Sequence, residues 1–260
     1  MGIIKTDKAT EHIAAIHEDQ VERYTRYLQR IMPVTPEDHF RRWLFAYASV
    51  HSGWQMNCKL YAALQDLSWL HNHEMLRDKI VATRAGMHNK RAEFIHEFAE
   101  YYWRHTEWFR RSKFESWTQY RKRVQNAAKG IGQAKSAFVV ELSYPLVAQV
   151  ICVDTHILQL YGFTAKEINE RGIRKSDMDT IEQHWATQCA SRSVPPVIAR
   201  WAYWDTKQGQ ADSRYWSFVF EEENYNDRLA RFARVTERPV VVPGYRGEAV
   251  TWDDSPVPVM

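Results

Sequence analysis

The sequence predicts an all-α fold. Apolar residues recur at helical spacing along most of the chain, and strand-period alternation is sparse. The interruptions carry helix-end signals: Thr35-Pro36, His51-Ser52-Gly53, the Gly130–Gly132 turn and Pro195-Pro196. With 260 residues, including 11 Trp, 13 Tyr and 11 Phe, the chain has ample material for one or two folded domains.

Residues 8–31 read as one or two amphipathic helices, stopped before Pro33. Thr35 is placed to N-cap the next helix with Pro36 at its first position, and residues 40–49 continue it with Trp43, Leu44, Phe45 and Tyr47. Residues 54–67 resume helix after the His51–Gly53 break, and 74–83 form a shorter one. A turn at Ala85-Gly86-Met87-His88-Asn89 leads into residues 90–102. Residues 115–128 run into the Gly-x-Gly turn, and 133–143 leave it and end at Tyr144-Pro145. Further helices are expected at 154–161, from Thr164, at 176–191, 196–206 and 221–235, followed by a Pro-containing extended tail.

No apolar run is long enough to span a bilayer, and the N-terminal residues lack the apolar core of a secretion signal. Met1-Gly2 with Thr6 is too short a match to argue for myristoylation. Cys58, Cys152 and Cys189 are too few and scattered for a four-thiolate iron–sulfur cluster or a zinc finger. An odd, unclustered count fits a reduced, intracellular protein, so a cytoplasmic location is expected. Neither His71/His73 nor any Cys/His group has metal-ligand spacing, so no catalytic metal is expected.

Formal net charge is +3, unevenly spread. Residues 79–135 hold 13 Lys and Arg against 5 acids. Such a segment suits a nucleic-acid partner, and equally a solvated helix face.

Gly130 and Gly132 flank Ile131 between two helices. Glycine there permits positive φ and lets backbone amides at the start of helix 133–143 approach a phosphate. A plain helix–helix turn is the other explanation. Asp154 precedes Thr155-His156-Ile157-Leu158 and is well placed as an N-cap. A carboxylate there could also stabilise the positive charge that builds on a sugar when an N-glycosidic bond breaks.

Gly130-Ile131-Gly132-Gln133 with Ala137-Phe138-Val139-Val140, then Val153-Asp154-Thr155-His156, resembles the helix-hairpin-helix DNA glycosylase superfamily. That group includes endonuclease III, the mismatch adenine glycosylase and 8-oxoguanine glycosylase. More weakly, residues 41–64 look like its helix, loop and helix lining the base pocket, and 85–92 like its Gly-containing turn before the next helix. The resemblance spans roughly 40–205. It implies a two-lobed helical fold with the active-site cleft between the lobes. One lobe would be 37–143, the other 1–36 with 144–236, and 237–260 the tail. Asp154 becomes the catalytic aspartate. Lys129, Gly130, Gly132, Gln133 and Lys135 become DNA-contacting residues, with a monovalent cation bridging hairpin carbonyls and phosphate. His51 falls where the family fills the gap left by a flipped base, though packing or capping is open. Trp54 and Gln55 could line the base pocket, and a buried Trp is the alternative. Trp204 and Asp205, ending an aromatic-rich segment, either reach the cleft or pack in the core.

The departures from the family narrow the reading. Its Schiff-base lysine position is Ala134 here. Lys135 is one residue, or about 100°, further round a helix, and is therefore expected to miss the pocket unless the register shifts. The family's four-cysteine loop is absent, and no second acid lies near His51. The resemblance thus implies a monofunctional N-glycosylase: a monomer on double-stranded DNA, with no required cofactor and no iron–sulfur cluster. A second expectation is a phage-type base-hypermodifying enzyme. Such an alpha-glutamyl/putrescinyl thymine pyrophosphorylase, or amino acid:DNA transferase, would act on activated 5-hydroxymethyluracil in the same pocket. A non-catalytic DNA-binding module is a third.

Overall fold

The computed structural model describes residues 4–208. The helix expected at 221–235 and the tail beyond it lie outside these residues. The described chain is all-α, built from eleven helices. They are α1 (Asp7–Ala14), α2 (Glu18–Ile31), α3 (Pro36–Ala48), α4 (Trp54–Leu64), α5 (His73–Thr83) and α6 (His88–Arg104). After a 3-10 turn (Thr106–Phe109) come α7 (Trp117–Ala127), α8 (Gln133–Ser143) and α9 (Thr155–Leu160). A π-type turn (Glu167–Arg171) precedes α10 (Lys175–Ser191) and α11 (Pro196–Gln208).

Local chemistry sets these boundaries. Residues 8–31 split into α1 and α2 at Ala15–His17. Thr35 caps α3 as a capping box, its hydroxyl accepting from the Asp38 amide at 2.9 Å while the Asp38 carboxylate accepts from the Thr35 amide. Ser116 and Gln119 form the same reciprocal pair at the start of α7.

Two apolar clusters form the interior. The larger draws Tyr24, Tyr27, Leu28 and Ile31 of α2 together with α3 to α8, around Phe40, Trp43, Phe98 and Tyr102. The smaller joins α1, α9 and α10 around Tyr161 and Trp185. The two helices of residues 1–36, expected in one lobe, therefore bury their faces in different clusters. α11 serves both: Val197, Ile198 and Trp201 enter the first, Ala199 and Tyr203 the second. A polar brace also ties α7 and α8 to α10. Arg121 is buried and reaches Asp179 at 3.1 Å and Glu182 at 3.5 Å, while the Gln133 amide donates to Asp179 at 2.7 Å. No described helix is long and apolar enough to cross a membrane.

Candidate active site

The Gly-x-Gly turn joins α7 to α8, and its two glycines do different work. Gly130 has φ +82°, and a Cβ there would lie 2.3 Å from the Phe94 ring, so both conformation and space require glycine. Gly132 is in extended backbone (φ −85°, ψ −179°) with nothing near its missing Cβ. It caps α8 without a side-chain bond, leaving the first amides of that helix open to an incoming ligand. Ile131 is buried between them, and the Tyr47 hydroxyl donates to the Lys129 carbonyl at 3.1 Å.

The flanking polar residues are less available than their sequence positions suggest. Lys129 is exposed, but its ammonium bonds Glu93 at 2.8 Å and Glu97 at 3.2 Å. Gln133 turns inward to Asp179, so of its polar groups the backbone amide is the one suited to face DNA.

Asp154 is both cap and cavity residue. Its Oδ1 accepts from the amides of His156 and Ile157, each at 3.0 Å, and so starts α9. Its Oδ2 accepts from Arg200 of α11 at 2.7 Å. Arg200 is almost wholly buried, and its second nitrogen lies 3.4 Å from Glu141 of α8. Glu141 in turn accepts from the Cys152 amide at 2.6 Å, in the segment leading to Asp154. Burial pushes the Glu141 carboxyl up to about 7, against the opposing pull of Arg200. Burial disfavours the Arg200 charge, but Glu141 and Asp154 outweigh it and hold the guanidinium protonated. The linked Glu141–Arg200–Asp154 set fixes the carboxylate from both sides.

Asp154 lines a cavity of about 420 Å³. Phe45, Phe138 and Trp204 supply aromatic walls, and Ser49, Asn57 and His156 supply polar ones. This is the composition of a pocket for a flat, polar-edged ligand. His156 meets the Trp204 ring edge-on at 5.1 Å. Asn57, in the amide orientation that satisfies its neighbours, donates to the carbonyls of Ala48 and Gly53.

Lys135 corrects one expectation. It lines this same cavity, close to the Phe138 ring, instead of pointing away. The 100° step was right, but its reference was not: Ala134 packs against the larger apolar cluster, so the next residue faces the cavity. Ser52 and Gly53 form the cavity rim, and His51 beside them is exposed with φ 49°. Trp54 and Gln55 open α4 just after that rim; their side chains lie outside what the structure describes. Trp204 reaches the cavity, whereas Asp205 is buried and accepts from the Tyr24 hydroxyl.

Part of the basic segment is ion-paired within the fold. Lys79 pairs with Asp66, Arg104 with Glu100, Arg110 with Glu107, Arg123 with Glu115, and Arg121 with α10. Of these cations only Lys79 and Arg121 draw on acids from outside residues 79–135, so the segment keeps most of its excess positive charge. Among the described residues no group of three or more His, Cys, Asp or Glu is placed to hold a metal ion.

Sequence reasoning missed Arg200 and Glu141. Both sit on apolar helices, where a lone charge signals a buried pair, but their partners are distant in sequence and the pairing is visible only in three dimensions.

No protein-family model matches the sequence, and no curated protein does. Solved structures do. The 8-oxoguanine DNA glycosylase of Thermotoga maritima superposes with TM-score 0.54 at 19% identity, over 80% of this chain and 94% of that one. The Methanocaldococcus jannaschii 8-oxoguanine glycosylase/lyase, in complex with a 15mer DNA containing 8-oxoguanine, gives TM-score 0.58 at 16% identity, over 79% and 98%. A second structure of the M. jannaschii 8-oxoguanine DNA glycosylase gives 0.58 at 17% identity, over 79% and 94%. The chain has the fold of the helix-hairpin-helix DNA glycosylases.

Proposed function

We propose that the protein is a DNA N-glycosylase that extrudes one nucleotide from a duplex and breaks its glycosidic bond. One observation carries this reading: Asp154, fixed with one oxygen capping α9 and the other bonded to Arg200, lines an aromatic-walled cavity that Lys135 and Phe138 of the helix after the hairpin also line. The reacting sugar atoms are stacked inside duplex DNA, so the nucleotide must leave the stack first. The base would sit among Phe45, Phe138 and Trp204, with its sugar toward Asp154. As the C1′–N bond lengthens, its electron pair leaves with the base and positive charge grows on the sugar. The fixed Asp154 carboxylate stabilises that charge without having to reorganise. Water then adds at C1′ and gives up a proton, leaving an abasic site. The α8 amides after Gly132 would hold a backbone phosphate. A monovalent cation there would draw on turn carbonyls; those of Ala128 and Lys129 already accept from Ile131 and Tyr47.

The position of Lys135 favours a second reading, in which the enzyme is also a lyase. The Lys135 amine would attack C1′ and the base would leave with the bonding pair; the C1′–O4′ bond would then open, its electron pair taking a proton on O4′, to give an imine, and loss of a C2′ proton would expel the 3′-phosphate. This reading replaces the monofunctional expectation if the imine forms.

The test is to incubate the protein with duplexes carrying 8-oxoguanine, mismatches or 5-substituted pyrimidines, with and without borohydride. The 8-oxoguanine duplex comes first because the similar structures are 8-oxoguanine glycosylases. Free base with an intact abasic strand supports hydrolysis. A nicked strand and a borohydride-trapped adduct support the lyase. A new 5-substituent on an intact nucleoside would transfer the site to the base-modifying reading, and unchanged DNA throughout would overturn all three.

A further inference from the structure

Arg121 of α7 and Arg200 of α11 are both buried, and each faces a buried glutamate: Glu182 at 3.5 Å and Glu141 at 3.4 Å. The two glutamates meet neighbouring residues of one segment, the run that ends at Asp154. The Cys152 amide donates to Glu141 at 2.6 Å, and the Ile151 amide faces Glu182. Burial pushes the Glu182 carboxyl up to about 7, with Arg121 and the Ile151 amide pulling the other way. The backbone that delivers Asp154 is thus held by two buried pairs, one from α8 and α11 and one from α7 and α10.

The Arg121 pair continues to the hairpin. A single Asp179 oxygen on α10 accepts from Arg121 at 3.1 Å and from the Gln133 side-chain amide at 2.7 Å. Gln133 is the first residue of α8, directly after Gly132, and its backbone amide is one of those left open to a phosphate. A glutamine at a helix start ordinarily extends into solvent; this one is buried against α10. Buried ionic groups add little stability over an apolar contact of equal volume, and their best-attested use is to fix register. Gln133, Asp179, Arg121 and Glu182 form such a chain, from the phosphate-facing end of α8 to the backbone carrying Asp154. In the glycosylase reading the extruded nucleotide spans those two points, with backbone phosphate at one and sugar at the other. A misplacement of about 1 Å between them can cost roughly 10²-fold in rate.

We propose that Asp179 is a positioning residue for base release: through Gln133 and Arg121 it sets the separation between the phosphate-holding start of α8 and the Asp154 carboxylate. It lies outside the cavity and acts through its neighbours, not on the reacting atoms. This rests on the glycosylase reading and extends its machinery to α10.

The test uses the full chain and two duplexes, one unmodified and one carrying a single tetrahydrofuran abasic analogue. The readout is the ratio of the two affinities: a weaker general grip lowers both affinities, whereas lost register lowers the ratio. Asp179→Ala leaves Arg121 facing Glu182, so no buried charge is stranded. Gln133→Ala keeps the backbone amide and removes the same bond with no change of charge, and it decides the matter should Asp179→Ala fail to fold. Each should lower the ratio by about tenfold, and the double variant no further, because both remove one shared interaction. Asp179→Asn keeps an oxygen for the Gln133 amide and should retain most of the ratio. Asp177→Ala, on the same helix and paired with Arg174, should match the parent. A parent-like ratio in folded Asp179→Ala or in Gln133→Ala overturns the positioning role and leaves the glycosylase reading intact. So does a loss that Asp179→Asn fails to rescue, or losses that add in the double variant. Equal affinity of the parent chain for the two duplexes overturns both readings.

Discussion

Arg200 donates to Asp154 Oδ2 at 2.7 Å, joining the middle of α11 to the cap of α9 across 46 residues of chain. The same guanidinium faces buried Glu141, so the carboxylate that lines the cavity is held by a neighbour that cannot itself move freely. Orientation of the Asp154 carboxylate is thereby built into the folded protein.

Substituting Asp154 separates its two jobs. Asparagine caps helices as well as aspartate does, so Asp154→Asn should keep α9 and the fold. It should lower base release by roughly 10²–10³-fold, the usual effect of losing one preorganised charge-stabilising group. Asp154→Ala should lose the cap too, with a further destabilisation of about 1 kcal/mol. Single-turnover rates and urea midpoints measured on both variants would distinguish these effects.

Arg200→Met should be the more damaging change for stability. It removes the shared partner of two acids and leaves Glu141 buried, a situation that costs about 3–5 kcal/mol. Glu141→Gln should cost less, because an amide oxygen can still accept from the Cys152 amide. Unfolding free energies of Arg200→Met and Glu141→Gln that differ by less than about 1 kcal/mol would contradict a shared buried network.

The two hairpin glycines should respond oppositely to alanine. Gly130→Ala forces a Cβ into Phe94 at positive φ and should disrupt the turn and reduce stability. Gly132→Ala meets open space in ordinary extended backbone, so the protein should fold and instead lose DNA affinity where a phosphate approaches. Paired melting and binding measurements read both effects, and a folded, tight-binding Gly130→Ala would refute the packing argument.

Acid should destabilise the protein through His39. Burial, then Arg42 and Arg110 beside it, lowers its pKa from 6.5 to about 3. The unfolded chain takes up this proton first, so stability is fully present above pH 6.5 and falls as pH drops toward 3, by up to about 4 kcal/mol. His39→Gln removes this titration, so the stability gap between the two proteins should shrink progressively below pH 6.5. Parallel pH profiles would contradict it.

Much of this architecture was legible because it is local. The Thr35–Asp38 cap, the Gly130 turn and the Asp154 cap each declare themselves within four residues. What was illegible depends on distant partners. The inward turn of Gln133 toward Asp179, the pairing of Lys129 with α6 and the Arg200 bridge join residues separated by dozens of positions. Lys135 was misplaced for a related reason. Helical geometry gave the angle between it and Ala134, but not which of the two faces the core.

The central claim is that Asp154 stabilises a cationic sugar in an extruded nucleotide. Its most direct measurement is the ratio of affinities for two duplexes, one carrying a cationic pyrrolidine abasic analogue and one the neutral tetrahydrofuran. It needs no knowledge of the base. A catalyst complementary to a cationic transition state should prefer the pyrrolidine duplex by at least about tenfold, and Asp154→Asn should abolish that preference while still binding tetrahydrofuran. Equal affinity of the parent protein for the two duplexes, or a preference that survives Asp154→Asn, would contradict the claim.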